Sequence, residues 1–138
     1  MAWVVDTCVL LDIGLNDPQF GLNSARLLDE KQEEGLTVSP VTFVELSPAF
    51  GGDSGHIEKF LLGLEIDFRE EWTLEDTRAA ASAWAAYVKK RRARQASKRP
   101  VADVMIGGFA MRFDGLLTRN SRDFALLFPG MKLIEPEA

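Results

Sequence analysis

The stretch that decides the fold is a short apolar run that ends in an acid, Trp3-Val4-Val5-Asp6-Thr7. Tryptophan and valine favour an extended backbone, and an apolar run without alternation is typical of a strand that is buried on both faces. Aspartate and threonine are both good N-caps, so we expect a helix over residues 8–13 with Asp6 or Thr7 as its cap. A buried strand that runs directly into a helix is typical of an α/β protein.

The rest of the 138 residues repeat this alternation. We predict further short strands at residues 36–39, 64–68, 116–118 and 131–134. We predict helices between them at residues 17–34, 40–50, 57–62, 74–94 and 101–112. The pattern predicts a three-layer α/β/α fold, in which a central parallel sheet of about four to five short strands lies between helices. No repeat or linker divides the chain, so we expect one domain spanning residues 1–138.

Composition excludes several classes of protein. Hydrophobic residues make up 46% and charged residues 27% of the chain, which is typical of a globular protein. Cys8 is the only cysteine and His56 the only histidine, so a disulfide framework and a multi-cysteine zinc site are both excluded. No apolar run approaches the roughly 20 residues that a transmembrane helix needs, and no basic leader precedes the first apolar stretch. We therefore expect a cytoplasmic protein without membrane association.

Positive charge is concentrated in one segment of an otherwise acidic chain. The net charge is −5, from 16 basic and 21 acidic residues. Seven of the basic residues lie within residues 89–99, which we call the basic segment and which contains no acid. They are Lys89, Lys90, Arg91, Arg92, Arg94, Lys98 and Arg99. Cations suit the end of a helix because of its dipole, but seven exceed what capping needs and favour a polyanionic partner such as RNA.

Four acids stand out because of their positions in the predicted elements. Asp6 follows the first strand, Glu45 lies in an apolar helical stretch, Asp103 is the only charge in another, and Asp123 follows the fourth strand. Each also has a purely structural explanation: a helix cap, a solvent-facing position, a favourable helix dipole, and a loop ion pair with a neighbouring arginine. Asn120 shares the loop of Asp123 and could supply an amide oxygen.

A parallel sheet could gather these four acids at one edge, because the carboxyl ends of its strands meet there. Packed carboxylates raise one another's pKa, and a hard divalent cation relieves the repulsion. Mg²⁺ takes octahedral oxygen coordination and usually retains waters and substrate phosphate oxygens. Two such ions can activate a water for phosphodiester cleavage, and the basic segment would hold the phosphate backbone.

Two adjacent glycines interrupt the helix predicted at residues 101–112. Gly107 and Gly108 are poor helix formers, so their presence needs another explanation. We expect close packing, or the close approach of another backbone, at this point of the helix.

Four motifs, in this order and spacing, carry a resemblance to a known family. They are Val4-Val5-Asp6-Thr7, Val41-Thr42-Phe43-Val44-Glu45-Leu46, Ala102-Asp103-Val104-Met105-Ile106 and Leu117-Thr118-Arg119-Asn120-Ser121-Arg122-Asp123-Phe124. With them the chain resembles, nearly end to end, a PIN-domain ribonuclease of the VapC-like toxin type. The resemblance implies a PIN-like fold and a Mg²⁺- or Mn²⁺-dependent endoribonuclease that acts as the toxin of a type II toxin–antitoxin pair.

The resemblance also implies the roles of particular residues and the kinds of partner. Asp6, Glu45 and Asp103 match the metal-binding acids of the family. The fourth acid of the family falls at Asn120 or at Asp123, of which only Asp123 is acidic here. Such toxins usually form homodimers and are silenced by a cognate antitoxin protein whose tail covers the active site.

Three further features complete the resemblance or depart from it. Thr118 matches a small hydroxyl residue that is often close to the site. Cys8 stands where the family often has Asn or Ser, and we interpret it as a small core residue. The basic segment is heavier than the family pattern predicts, so it either sets the affinity for RNA or receives an acidic segment of the antitoxin.

Three other classes of protein share parts of this pattern. A phosphatase of the haloacid dehalogenase type needs a second aspartate two residues after Asp6, where Cys8 stands. A receiver domain could use Asp67 as its phosphorylated residue, but the early acid pair and a lysine after the fifth strand are missing. A non-catalytic module that binds RNA or protein through the basic segment stays open. Metal-dependent cleavage separates it from an enzyme, because a binding module would survive EDTA.

Overall fold

The computed structural model describes residues 2–94 and 100–137, and gives the backbone alone for residues 91–94. Strands and helices alternate along these residues. The strands are β1 (Trp3–Val5), β2 (Leu36–Thr37), β3 (Gly115–Leu117) and β4 (Leu133–Ile134). The helices are α1 (Thr7–Gly14), α2 (Gly21–Lys31), α3 (Pro40–Leu46), α4 (Ser54–Gly63), α5 (Leu74–Arg94), α6 (Val101–Ala110) and α7 (Ser121–Leu127). Short 3₁₀ helices, Gln32–Glu34 and Ser47–Phe50, follow α2 and α3.

The described strands form one parallel sheet in the order β2-β1-β3-β4. Trp3 at the start of β1 is paired with Leu36 on one side and with Gly115 on the other. The sheet confirms the predicted α/β class and the predicted parallel arrangement. Because β2 lies on one side of β1 and β3 on the other, the order of strands reverses at β1. In open parallel sheets, ligands bind outside the carboxyl end of the strands at this switch point.

Two apolar cores, one on each face of the sheet, account for the layered architecture. Val5 and Leu117 contribute to the core that contains α1, whereas Val4 and Leu116 contribute to the core that contains α6. Neighbouring residues of a strand point to opposite faces, so β1 and β3 supply both cores at once. Both strands are fully buried, as the unbroken apolar runs predicted.

The strand predicted at residues 64–68 is wrong. Asp67 makes a single parallel bridge to Thr37, and no strand is formed there in the described chain. The backbone N–H of Ile66 bonds instead to the carbonyl of Leu61 (3.0 Å), and Glu65 adopts a left-handed conformation with φ 57°. The segment therefore closes the end of α4 and touches the edge of the sheet only near its own end.

Two helix predictions also need correction. The helix predicted from residue 17 begins at Gly21, because the Asp17 carboxylate accepts the backbone N–H groups of Gln19 (2.9 Å) and Phe20 (2.8 Å) and holds a turn. Helix α7 was not predicted, and Asp123, which was placed in a loop, lies in its first turn. Seven residues are too few for a helical period to be recognised in a sequence.

Gly107 and Gly108 are explained by close packing, as predicted. A Cβ on Gly107 would lie 2.1 Å from the ring of Phe128. A Cβ on Gly108 would lie 2.9 Å from the Ala80 nitrogen and from the Asp76 carbonyl oxygen, both of the α5 backbone. The absence of side chains at these two positions lets α6 approach α5 and the residues after α7.

We predict that Gly108→Ala lowers the free energy of unfolding by about 1–3 kcal/mol, because overpacking outweighs the gain of about 1 kcal/mol in helix propensity. Urea denaturation measures the change. Gly63 at the end of α4 is the control, since an added Cβ there meets nothing within 4 Å. Gly63→Ala should leave stability unchanged or slightly higher, and a Gly108→Ala protein as stable as wild type would contradict the close contact of α5 and α6.

Candidate functional site

Asp6 lies at the switch point, between the end of β1 and the start of α1. Its side chain is only 3% exposed. One carboxylate oxygen, Oδ1, accepts the Thr7 backbone N–H (2.8 Å) and caps α1. The other, Oδ2, accepts the Thr118 hydroxyl (2.7 Å) and the Cys8 thiol (3.2 Å). The sequence offered either Asp6 or Thr7 as the N-cap of α1, and in the structure the N-cap is Asp6.

Burial raises the pKa of Asp6 above its ordinary value. The hydrogen bonds from Thr118, Cys8 and the Thr7 backbone, and the charge of Arg119, oppose the shift without cancelling it. An ionised carboxylate offers about four acceptor positions, and these three bonds occupy three of them. Asp6 thus combines an unfavourably buried charge with remaining capacity for one donor or cation.

Thr7 links Asp6 to Glu45. The Thr7 hydroxyl donates to Oε1 of Glu45 (2.6 Å) and lies 3.1 Å from the hydroxyl of Thr42, which is fully buried. Glu45 itself is exposed on α3. Glu45 therefore faces solvent, as one of the two explanations of this residue expected. Its carboxylate is nevertheless held by Thr7, the residue next to Asp6.

The loop that follows β3 forms the opposite wall. Thr118 is fully buried and accepts the backbone N–H of Asn120 (2.9 Å) while it donates to Asp6. Asn120 precedes α7, but its exposed side chain makes no capping hydrogen bond. Glu135 takes that role, since its carboxylate accepts the backbone N–H (3.2 Å) and the hydroxyl of Ser121. The amide of Asn120 stays available at the rim of the site.

Asp103 and Asp123 are placed by the connections of their helices. Asp103 lies in the first turn of α6, whose other end joins β3 through residues 111–114. The N-terminus of α6 is thereby directed towards the carboxyl edge of the sheet. Asp123 lies in the first turn of α7, which follows β3 at that same edge. Both side chains are half-buried, and both interact with neighbouring groups.

The four predicted acids are not drawn into one preformed group. Within residues 2–94 and 100–137, no three His, Cys, Asp or Glu side chains lie together in a way that would hold a metal ion. The contacts join Asp6 to Thr118 and, through Thr7, to Glu45. The participation of Asp103 and Asp123 in a metal site stays a prediction.

Cys8 is a half-buried residue at the site rather than a residue of the core alone. Burial and the neighbouring Asp6 carboxylate raise the pKa of its thiol to about 12. The thiol is therefore protonated at neutral pH and acts as a hydrogen-bond donor to Asp6, not as a nucleophile.

Only part of the basic segment lies among the described residues. Lys89 and Lys90 are exposed on α5. The side chains of Arg91, Arg92 and Arg94, and all of Lys98 and Arg99, lie outside the described residues. None of the described helices has the length and apolar character required to span a bilayer.

Sequence reasoning missed two features of the site. It did not assign a role to the hydroxyl of Thr7, although the motif contains it. It also missed the ion pair of Arg119 with Asp12, in which Nε and Nη2 of the guanidinium lie 2.6 and 2.9 Å from the carboxylate oxygens. Asp12 within an apolar helical stretch was a signal that could have pointed to an ion pair, but nothing in the sequence indicates that its partner is Arg119.

Comparison with known proteins gives structural similarity and no sequence match. No protein-family model matches the chain, and no curated protein matches it. A chain of VapBC2 from Rickettsia felis, solved with a DNA fragment from the VapBC2 promoter, is similar at a TM-score of 0.64 and 12% identity, over 99% of this chain and 100% of that one.

Two further solved chains are similar over nearly their whole length. One is from FitAB bound to an IR36 DNA fragment, with a TM-score of 0.62 and 19% identity over 96% of this chain and 94% of that one. The other is from FitAcB of Neisseria gonorrhoeae, with a TM-score of 0.61 and 18% identity over 96% of both chains. At these identities the likeness shows the fold, so the resemblance to VapC-like PIN proteins holds at the level of architecture.

The raised pKa of Asp6 predicts a pH-dependent effect of Asp6→Asn, measured in EDTA. Asparagine is also a good cap, so the bond from the Thr7 N–H can be kept; the loss of the bonds from Thr118 and Cys8 lowers stability by itself, and the loss of the titrating group adds a dependence on pH. The folded wild type binds a proton more tightly than the unfolded chain, which has a pKa near 3.8. Its stability relative to the variant is therefore greatest below that pKa and falls as the pH rises through the raised value.

Urea denaturation of both proteins from pH 4 to pH 8 measures this difference. Asp29→Asn, an exposed acid on α2, is the control and should show no such trend. A stability difference between Asp6→Asn and wild type that does not change with pH would contradict the buried, ionisable state of Asp6.

Proposed function

We propose that this protein is a divalent-metal-dependent endoribonuclease of the VapC-like PIN type and the toxin of a toxin–antitoxin pair. The observation that carries the proposal is the buried Asp6 carboxylate at the switch point of the sheet, with Glu45 and Thr118 organised around it. This position is where a parallel α/β fold places its ligand. The similarity to chains of VapBC2 and FitAB supports the same assignment.

The donors at the site suit Mg²⁺ or Mn²⁺. They are hard oxygen ligands, and Asp6 retains acceptor capacity after its three hydrogen bonds. Mg²⁺ is commonly held by one or two carboxylates together with waters, so a preformed cage of three acids is not required. Asp6 and Glu45 would hold the ion, with Asp103 and Asp123 as the further ligands. When bound, the ion supplies an activated water and compensates negative charge at the phosphate.

The other residues of the site fix its geometry and its substrate. The Thr118 hydroxyl holds the orientation of the Asp6 carboxylate, and the Thr7 hydroxyl holds that of Glu45. Asn120, free of a capping role, is available to donate to a phosphate or a base of RNA. The basic segment binds the phosphate backbone on an otherwise acidic chain. The protonated Cys8 gives no covalent intermediate.

The expected partners follow from the same assignment. The solved relatives are VapBC2, FitAB and FitAcB complexes, and we propose that a cognate antitoxin binds this chain as well. A homodimer and a cytoplasmic location belong to the same proposal.

A non-catalytic module that binds RNA through the basic segment is the second candidate. The observation that favours it is the lack of a preformed three-acid group among the described residues. EDTA distinguishes the two, since RNA binding by a module needs no metal.

We predict that Asp103→Asn folds but no longer cleaves RNA. The test incubates wild type and variant with structured total RNA in Mg²⁺, Mn²⁺ or EDTA, and the fragments are separated by electrophoresis. Loss of one metal ligand should reduce the rate by at least about 100-fold, or about 2.7 kcal/mol in barrier height. Discrete fragments are expected only from wild type with metal.

Glu75→Gln is the matched control, because Glu75 also lies in the first turn of a helix, α5, and is exposed. It should cleave like wild type. Wild-type activity in Asp103→Asn would remove that residue from the site, and binding without cleavage in every lane would favour the binding module.

We predict that replacing Arg91, Arg92 and Arg94 with alanine weakens RNA binding and flattens its salt dependence, because fewer counterions are released. Binding is measured by fluorescence anisotropy in EDTA over a range of salt concentrations. Arg78→Ala, an exposed substitution on the same helix, should keep the wild-type slope. An unchanged slope in the triple variant would assign the basic segment to a protein partner.

A further inference from the structure

An ion pair between a buried carboxylate and a partly exposed arginine ties α1 to the loop after β3. Asp12 is 4% exposed, and its two carboxylate oxygens accept Nε and Nη2 of Arg119 at 2.6 and 2.9 Å. The Ser24 hydroxyl adds a third bond to the same carboxylate (3.2 Å). The guanidinium also lies over the ring of Phe20, 4.3 Å from its centroid. The Asp12 carboxylate therefore receives three hydrogen bonds, whereas 31% of the Arg119 side chain is exposed.

The ion pair completes a ring of contacts that includes the candidate site. Asp6 and Asp12 lie at the two ends of α1, and Thr118 and Arg119 are consecutive in the loop after β3. Thr118 bonds to Asp6 while Arg119 bonds to Asp12. The loop is thus fastened to α1 near both ends of the helix, and this restricts the movement of Thr118 away from Asp6.

Stability alone is a weak explanation for such a pair. Burying the Asp12 carboxylate costs free energy, the partly exposed Arg119 recovers only part of it, and an apolar pair in place of a buried ion pair is often equally stable or more so. A bidentate guanidinium–carboxylate contact does, however, fix both distance and angle. Its position next to Thr118 suggests that the fixed geometry serves the site.

We propose that Asp12 and Arg119 are positioning residues, which set the carboxylate of Asp6 for binding a divalent cation by locking the loop of Thr118 against α1. The inference rests on the proposed function, since it assigns these residues to the metal site of that function. Neither residue touches the cation, and both act through Thr118 and Asp6. Groups that orient metal ligands in this way commonly change metal affinity by about 10- to 100-fold when they are removed.

The chain contains a matched control for the experiment. Asp76 on α5 is 1% exposed, and its carboxylate accepts Nε and Nη2 of Arg112 at 2.9 and 3.3 Å. Arg112 follows the C-terminal end of α6, nine residues beyond Asp103, which places it about 13 Å away along the helix. The two pairs share chemistry and burial, but only the pair of Asp12 and Arg119 adjoins the site.

The test is calorimetric titration of Mn²⁺ into wild type, Arg119→Gln, Arg119→Lys and Arg112→Gln, each checked for folding by circular dichroism and thermal unfolding. We expect Arg119→Gln to weaken Mn²⁺ binding by about 10-fold, and Arg119→Lys to recover part of the loss because its ammonium group can still pair with Asp12. Arg112→Gln should lower thermal stability but keep the Mn²⁺ affinity within about twofold of wild type. The double variant Asp12→Asn/Arg119→Gln should bind Mn²⁺ no more weakly than Arg119→Gln, because both changes break the same contact.

The outcomes separate the inference from the proposed function. Wild-type affinity in folded Arg119→Gln, or an equal loss in Arg119→Gln and Arg112→Gln, would overturn the positioning role while leaving the metal site in place. Failure of the wild type itself to bind Mn²⁺ would overturn the proposed function, and the inference with it.

Discussion

The buried carboxylate of Asp6 is the point at which the sheet, the first helix and the loop after β3 are held together. It stands where β1 ends and α1 begins, at the point where the order of the parallel strands reverses. Burial opposes its charge, and the fold compensates with donors from three directions: the backbone of Thr7, the thiol of Cys8 and the hydroxyl of Thr118. Those donors come from α1 and from the end of β3, so the sheet and the first helix must both be formed before Asp6 is satisfied.

Threonine hydroxyl groups fix the orientation of the carboxylates at the site. Thr7, Thr42 and Thr118 are buried at or near the same carboxylate, and each is neutral. These hydroxyl groups fix the positions of Asp6 and Glu45 without adding charge. The groups that orient the two carboxylates therefore do not repel them. A divalent cation suits such an arrangement, because it neutralises the carboxylates that the hydroxyls orient.

The parts of this structure that sequence could predict are those that depend on local pattern. The run Trp3-Val4-Val5 predicted β1, and Asp6 was recognised as a possible cap and site residue because it follows that run directly. Pro40 marks the start of α3, and the paired glycines of α6 indicate close packing from the sequence alone. The short apolar segment at residues 64–68 was mistaken for a strand, since periodicity cannot assign so short a run.

Contacts between distant residues could not be predicted. Thr7 and Glu45 are 38 residues apart, and Asp12 and Arg119 are 107 apart. Each partner has an ordinary local explanation, as a helix residue or a loop cation, and only the tertiary fold brings them together. The sequence therefore indicated candidate acids for the site but not the groups that hold them.

The central claim is that Asp6 anchors a divalent cation at the switch point of the sheet. Diffraction from crystals grown with Mn²⁺, recorded for anomalous scattering, tests it most directly. We expect an anomalous peak bonded to the Asp6 carboxylate, with Glu45 and Asp103 as its nearest further acids. A well-ordered site with no peak at Asp6, or a peak bound elsewhere on the chain, would contradict it.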